Sequence, residues 1–174
     1  MGGFQVRFCR MRTALLPILF LVSALASADP APPSTDVVAV AYGMSYGECI
    51  GYCVQELHIS GGNVDFLAQG WYAPDASQHK LEDVRSKQFL SRQETEELWR
   101  LVLSVKYVDI PERLGCPDCN DGGAEWLEFT TSGHKMKKIE FERGNAPEAL
   151  RALAERCSQI RQRFKTPQDW RRNL

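Results

Sequence analysis

Cys53 to Gln69 reads CVQELHISGGNVDFLAQ, and the reading of these seventeen residues decides the fold. Cys53, Gln55, Leu57 and Ile59 alternate with Val54, Glu56 and His58, the two-residue period of a strand with one buried face. Ser60-Gly61-Gly62-Asn63 follows as a turn cluster able to supply positive φ angles. Val64, Phe66 and Ala68 then alternate with Asp65, Leu67 and Gln69 on a return strand. The segment is a β-hairpin with an apolar face in search of a cover.

Toward the N-terminus the hairpin is entered through Tyr46-Gly47-Glu48-Cys49-Ile50-Gly51-Tyr52-Cys53, the densest run of constrained residue types in the chain. Val37 to Tyr42 is a β-branched run that predicts a first strand, and three glycines between Gly43 and Gly51 break its pattern. Asp29 to Asp36 (DPAPPSTD) reads as a flexible lead. Ahead of it stand Arg7, Arg10 and Arg12, the apolar run Thr13 to Leu25, and the small residues Ala26-Ser27-Ala28. These three parts predict a secretory signal peptide over residues 1–28, cleaved near Ala28, and a periplasmic or secreted protein. Thirteen apolar residues fall short of the roughly 20 that a bilayer-spanning helix needs. The mature chain should therefore be soluble, with no membrane span. It carries 18 basic and 22 acidic residues, a mild negative charge that argues against a nucleic-acid partner.

Toward the C-terminus, Gly70 to Lys80 shows neither period and predicts a loop, and Val84 to Leu90 an edge strand. Ser91 and Glu94 form a capping box that opens a helix from Arg92 to about Val105. Leu98, Leu101, Val102 and Val105 mark its buried face. Gly115 to Gly123 (GCPDCNDGG) is a tight loop by composition. Trp126 and Phe129 lead through Ser132-Gly133 into Lys135 to Glu142, a second hairpin. Asn145 and Glu148 suggest another capping box, with Pro147 at the helix start. Leu150, Leu153, Cys157, Ile160 and Phe164 then hold one face of a closing helix. The expected architecture is one α+β domain over residues 37–164, followed by a basic tail over 165–174. It is a two-layer arrangement, an antiparallel sheet built from two hairpin units, each followed by an amphipathic helix.

Three short motifs carry a resemblance: Cys49-Ile50-Gly51-Tyr52-Cys53, Gly62-Asn63-Val64-Asp65-Phe66 and Pro147-Glu148-Ala149-Leu150. Over about residues 37–164 the chain resembles an uncharacterised family of small exported bacterial domains of unknown function. That family has a C-F-G-x-C-P type motif ahead of a hairpin, a capped helix, a second hairpin and a closing helix. This chain departs from the pattern at Val54, where the family usually has proline, and in its Cys116/Cys119 pair. The resemblance implies an α+β fold and no activity.

Five cysteines remain after the signal, an odd count in a compartment where disulfides persist. Cys49 and Cys53 can bridge in a turn around Gly51, or pair with Cys116 or Cys119. Cys116-Pro117-Asp118-Cys119 lacks the strand-then-helix context of a redox motif, and a loop-stapling disulfide is expected. Cys157 lies on the apolar stripe of the last helix as a buried free thiol. Asp118, Asn120 and Asp121 fail the spacing of a calcium loop. His58, His79 and His134 form no catalytic or metal-binding spacing, so no catalytic residue, metal site or cofactor is assigned. Glu56 and Asp65 can approach across the first hairpin, as a general acid and base pair would require, and exposed-face polar residues are the expected reading. Tyr46, Tyr52, Trp71 and Tyr72 can gather at one end of the sheet as an aromatic contact surface. The leading expectation is a non-enzymatic binding module for an unknown protein or cell-envelope component. The competing class is a thiol–disulfide or zinc-binding protein using Cys49, Cys53, Cys116 and Cys119. An enzyme would need a concave pocket of perturbed polar groups assembled from distant residues.

Overall fold

The structure is a computed structural model and describes residues 36–47, 49–72 and 80–167. The expected signal peptide, all but the last residue of the lead at 29–36, and most of the basic tail lie outside the described residues. So does most of the Gly70 to Lys80 loop.

Alternating burial builds seven strands: β1 (Val37–Ser45), β2 (Tyr52–Ser60), β3 (Asn63–Gly70), β4 (Val84–Phe89), β5 (Arg113–Leu114), β6 (Ala124–Thr131) and β7 (Met136–Glu142). Two helices, α1 (Arg92–Ser104) and α2 (Glu148–Arg161), complete the regular structure. The strands form one sheet in the order β4-β3-β2-β1-β6-β7-β5. The first hairpin pairs Leu57 with Phe66 and Ile59 with Val64, so its apolar residues do share a face.

The arrangement corrects the expected antiparallel sheet of two hairpin units, each with its own helix. There is a single mixed sheet, in which β1 pairs with both β2 and β6. β5 runs parallel to β7. The residues that seemed to start one unit form the middle of the whole sheet, because β1 continues through Gly43 as far as Ser45. Gly43 stands opposite Trp126 on β6, and a Cβ at position 43 would lie 2.1 Å from Cε2 of that indole. The glycine is thus a strand residue covered by a cross-strand aromatic ring, not a break.

One core face joins Val40, Tyr42, Leu57, Ile59, Phe66, Leu127, Phe129, Ile139 and Phe141 from the sheet to Leu98, Val102, Leu150, Leu153, Cys157 and Ile160 from the helices. Each such aliphatic or aromatic side chain contributes about 1.5–3 kcal/mol by leaving water. Phe164, just past α2, stacks on Phe66 at 4.8 Å. A register shift between Val37 and Ala39 lets both Val37 and Val40 point inward while Val38 is exposed. Among the described residues no helix is long and apolar enough to cross a membrane.

The α1 capping box is made: Glu94 N–H donates to Ser91 Oγ, and Ser91 N–H to Glu94 Oε2. The box expected at α2 is not. Pro147 takes the cap position without a side-chain hydrogen bond, and the Asn145 side chain instead donates to Glu142 at 3.2 Å. Arg163 beyond α2 bonds Glu94, and Arg156 bonds Glu97 at 3.1 Å, tying α2 to α1.

Candidate functional site: a stapled rim at one end of the sheet

The turn from β1 to β2 is stiffened at several points. Cys49 and Cys53 lie at disulfide distance, with Cα atoms 5.5 Å apart, and Tyr46 N–H donates to Cys53 C=O at 3.1 Å. Gly51 adopts φ +105°, a conformation that L side chains rarely take. Its N–H donates to Tyr72 C=O at 3.0 Å, and its C=O accepts from Trp71 N–H at 2.7 Å. Leu81 N–H in turn donates to Trp71 C=O at 2.7 Å. The backbone of Trp71 is thereby held on two sides while its side chain projects outward.

Three large apolar side chains gather on this fixed backbone: Ile50 is 60% exposed, and Trp71 and Tyr72 are each 53% exposed. The two rings meet edge to face at 5.9 Å and 82°. Beside them is a groove of about 510 Å³ lined by Tyr46, Cys49, Ile50, Cys53, Val54 and Trp71 among others, with Asp118 as the charged side chain among the described residues. A smaller depression of about 200 Å³ is bordered by Trp71, Tyr72 and Lys80.

The four aromatic residues expected at a contact surface separate into two pairs. Trp71 and Tyr72 are at the surface. Tyr52 is only 7% exposed and belongs to the core, because the β2 register turns it inward. Tyr46 is half-buried and carries the Arg143 guanidinium over its ring at 5.0 Å. Ile50 joins the rim in their place, an apolar residue that composition alone did not distinguish from a core candidate.

The second cysteine loop adjoins the first. Cys116 and Cys119 also lie at disulfide distance, with Cα atoms 5.5 Å apart. Asp118, Asn120 and Asp121 all take left-handed backbone angles, which their short polar side chains tolerate best among non-glycine residues. Gly47 packs so closely on Asp121 that a Cβ would meet its carbonyl oxygen at 1.9 Å, and Ala124 N–H donates to Ser45 Oγ at 3.0 Å. Glu142 holds the loop from below by accepting from Cys116 N–H at 2.8 Å, and its pKa is lowered by that bond first and by Asn145 second. Among the described residues no group of three or more histidine, cysteine, aspartate or glutamate side chains is placed to hold a metal ion. Cys157 is fully buried, and burial pushes its thiol pKa up to about 12.

On the sheet face opposite the core, Glu56 accepts from Trp126 Nε1 at 3.2 Å and lies 3.4 Å from His58 Nε2. Lys138 sits over the Trp126 ring at 4.3 Å. The His58 hydrogen bond is the leading reason the Glu56 pKa is lowered, and the same bond raises that of His58. Asp65 stands opposite His58 rather than Glu56, and pairs with Lys87 at 2.8 Å. The two carboxylates of the first hairpin therefore serve separate ion pairs and make no acid–base couple. Sequence reading did not find the Trp126–Glu56–His58 set, which joins positions 70 residues apart.

No protein-family model matches this chain, and no curated protein matches it.

Proposed function

We propose that this chain is an exported, non-enzymatic binding module of the cell envelope, and that its Ile50–Trp71–Tyr72 rim packs against an apolar segment of a partner protein. The observation that carries the reading is the clustering of three half-exposed large apolar side chains on backbone segments joined by the Gly51–Tyr72, Trp71–Gly51 and Leu81–Trp71 hydrogen bonds. Aromatic residues in such settings supply much contact area at low entropic cost. The apolar lining of the adjoining groove supports a protein segment as the occupant. Among the described residues the groove is lined mainly by apolar surface, with Ser45, Asp118 and the Tyr46 phenol as its polar side chains, and an apolar segment of a protein matches that lining. The signal-like N-terminus, the two cysteine pairs at disulfide distance and the resemblance to small exported domains support an oxidising compartment, periplasmic or extracellular.

The test compares photo-crosslinked envelope fractions from cells carrying three forms of the protein. These are the wild type, the rim variant Ile50→Asp/Trp71→Ala/Tyr72→Ala, and a control altered at exposed apolar residues elsewhere, Phe89→Ser/Met136→Ser. A partner captured by wild type and control and lost from the rim variant is the expected result. The same species in all three would sink the rim assignment. Retention on purified envelope glycan, abolished by the rim variant, would replace the protein partner with a sugar. Mass spectrometry of the exported form should give a chain starting after Ala28.

A further inference from the structure

The sheet ends at β4 on one side. Leu90 N–H donates to Gly62 C=O at 2.8 Å just beyond β4, and this bond fixes which way each β4 residue points. Along an antiparallel strand, successive residues turn their N–H and C=O alternately toward the neighbour and away from it. Val84, Ser86 and Gln88, opposite Ala68, Phe66 and Val64, therefore bond β3. The backbone groups of Arg85, Lys87 and Phe89 point outward, and among the described residues no strand pairs with that side.

The side chains follow the same alternation. Val64, Phe66 and Ala68 are buried in the core, so Arg85, Lys87 and Phe89 stand on the open face of the sheet, where all three are exposed. Lys87 pairs with Asp65 at 2.8 Å and Arg85 with Asp83 at 3.8 Å, and the two cationic side chains are 81% and 73% exposed. Ion pairs so open to water hold their members weakly. A depression of about 480 Å³ adjoins them, lined by His58, Asp65, Leu67, Arg85 and Lys87 among others.

We propose that β4 takes an extended acidic segment of a partner protein as an additional antiparallel strand. Residues of that segment opposite Arg85, Lys87 and Phe89 exchange backbone hydrogen bonds with them, and their side chains fall on the same open face. Carboxylates then lie beside the guanidinium of Arg85 and the ammonium of Lys87, and an apolar side chain beside Phe89. Read from its N-terminus, the segment is apolar, any residue, acidic, any residue, acidic. A second copy of β4 does not fit. The registers of greatest overlap, with a two-fold axis at Lys87 or Ser86, set Lys87 against Lys87 or against Arg85, and like charges directly opposite are destabilising. Cations on an edge strand guard it against edge-to-edge association, and an acidic strand is the one this guard admits. The edge is separate from the Ile50–Trp71–Tyr72 rim and takes a different partner. In the crosslinking comparison that partner is retained by the rim variant and weakened in the Phe89→Ser/Met136→Ser control.

The experiment is an NMR titration of the purified protein with the peptide acetyl-Val-Thr-Glu-Thr-Glu-Thr-amide at low salt, with amide exchange read at each β4 residue. Saturable shifts with a Kd below about 1 mM are expected. At ten times the Kd, exchange at Arg85, Lys87 and Phe89 should slow about tenfold. Ser86 and Gln88, already bonded to β3, should keep their rates. N-methylation of both glutamates, whose amides face β4, should weaken binding by about tenfold or more. N-methylation of the second and fourth residues, whose amides face away, should leave the Kd unchanged. Arg85→Gln/Lys87→Gln, at two exposed positions, should weaken binding by about tenfold, and the peptide with lysine in place of both glutamates should not bind. Non-saturable shifts, equal slowing at alternate β4 amides, equal weakening by the two N-methylated peptides, an unchanged Kd in the glutamine variant, or equal binding of the lysine peptide would each overturn the proposal.

Discussion

Replacing Cys49 and Cys53 together by alanine should lower stability by about 2 kcal/mol. The figure follows from the smallness of the closed loop. Cys49 and Cys53 are four apart in sequence, so the bridge encloses five residues. The chain-entropy relation then gives about 7 cal/mol/K of unfolded-state entropy removed, or about 2 kcal/mol at 25 °C. Unfolding a domain of about 130 residues carries an entropy of about 0.27 kcal/mol/K, so the midpoint should fall by about 7 °C. Alanine is preferred to serine because Cys53 is buried, and a hydroxyl there would add a separate penalty. Urea denaturation of oxidised wild type and variant measures the loss. Amide hydrogen exchange then locates it: Tyr46, Gly51 and Trp71 should lose protection while Leu57 and Leu127 in the sheet centre keep theirs. The matched variant Cys116→Ala/Cys119→Ala should cost a similar amount but leave the Gly51–Trp71 pairing protected. If the bridge is shown present in wild type and its removal changes neither stability nor rim exchange, the view of the rim as a clamped platform is refuted.

Gly43→Ala should destabilise by about 1–3 kcal/mol, the opposite of the gain of about 0.4–1 kcal/mol that glycine-to-alanine changes give where space is open; thermal unfolding gives the sign. Ser91→Ala should cost about 1 kcal/mol through the α1 cap. Glu94 is held at a pKa of about 2, chiefly by its hydrogen bond from Arg163 and then by Ser91. Its folded value lies below the ordinary 4.5, so its contribution is complete above pH 4.5 and lost as pH falls through about 2. Glu94→Gln should flatten that acid limb in pH-dependent unfolding. His58 should titrate above 6.5 by NMR because of Glu56. Its contribution is full below pH 6.5 and lost as pH rises through the raised value, and Glu56→Gln should return the midpoint toward 6.5. Cys157 should resist iodoacetamide in the native state and react only on unfolding, as mass spectrometry of the labelled chain will show.

Much of the local structure was legible because its signals are short-range. The Cys53 to Gln69 alternation, the Ser91–Glu94 cap and the apolar stripe over Leu150, Leu153, Cys157 and Ile160 each need only neighbours in sequence. The same holds for the closeness of Cys49 to Cys53 and of Cys116 to Cys119, pairs that lie at disulfide distance within loops of four or five residues. The α2 start was misjudged at equally short range, because Glu142 captured the Asn145 side chain that would have capped the helix. The competitor lies three residues upstream at the end of β7, and residue type alone does not say which of two local acceptors and donors the Asn145 side chain will take.

By itself, the sequence determined which segments pair locally and where the apolar faces lie. Only the tertiary structure decided how those segments combine. β1 is central because the indole of Trp126 covers Gly43 across 83 residues, and β5 adds in parallel to β7 to make the sheet mixed. The same long-range packing sent Tyr52 inward, left Ile50 beside Trp71 and Tyr72, and enclosed Glu125 beneath α2. Residue type and period report what a side chain prefers. Which face it meets is set by strand register and by partners far along the chain.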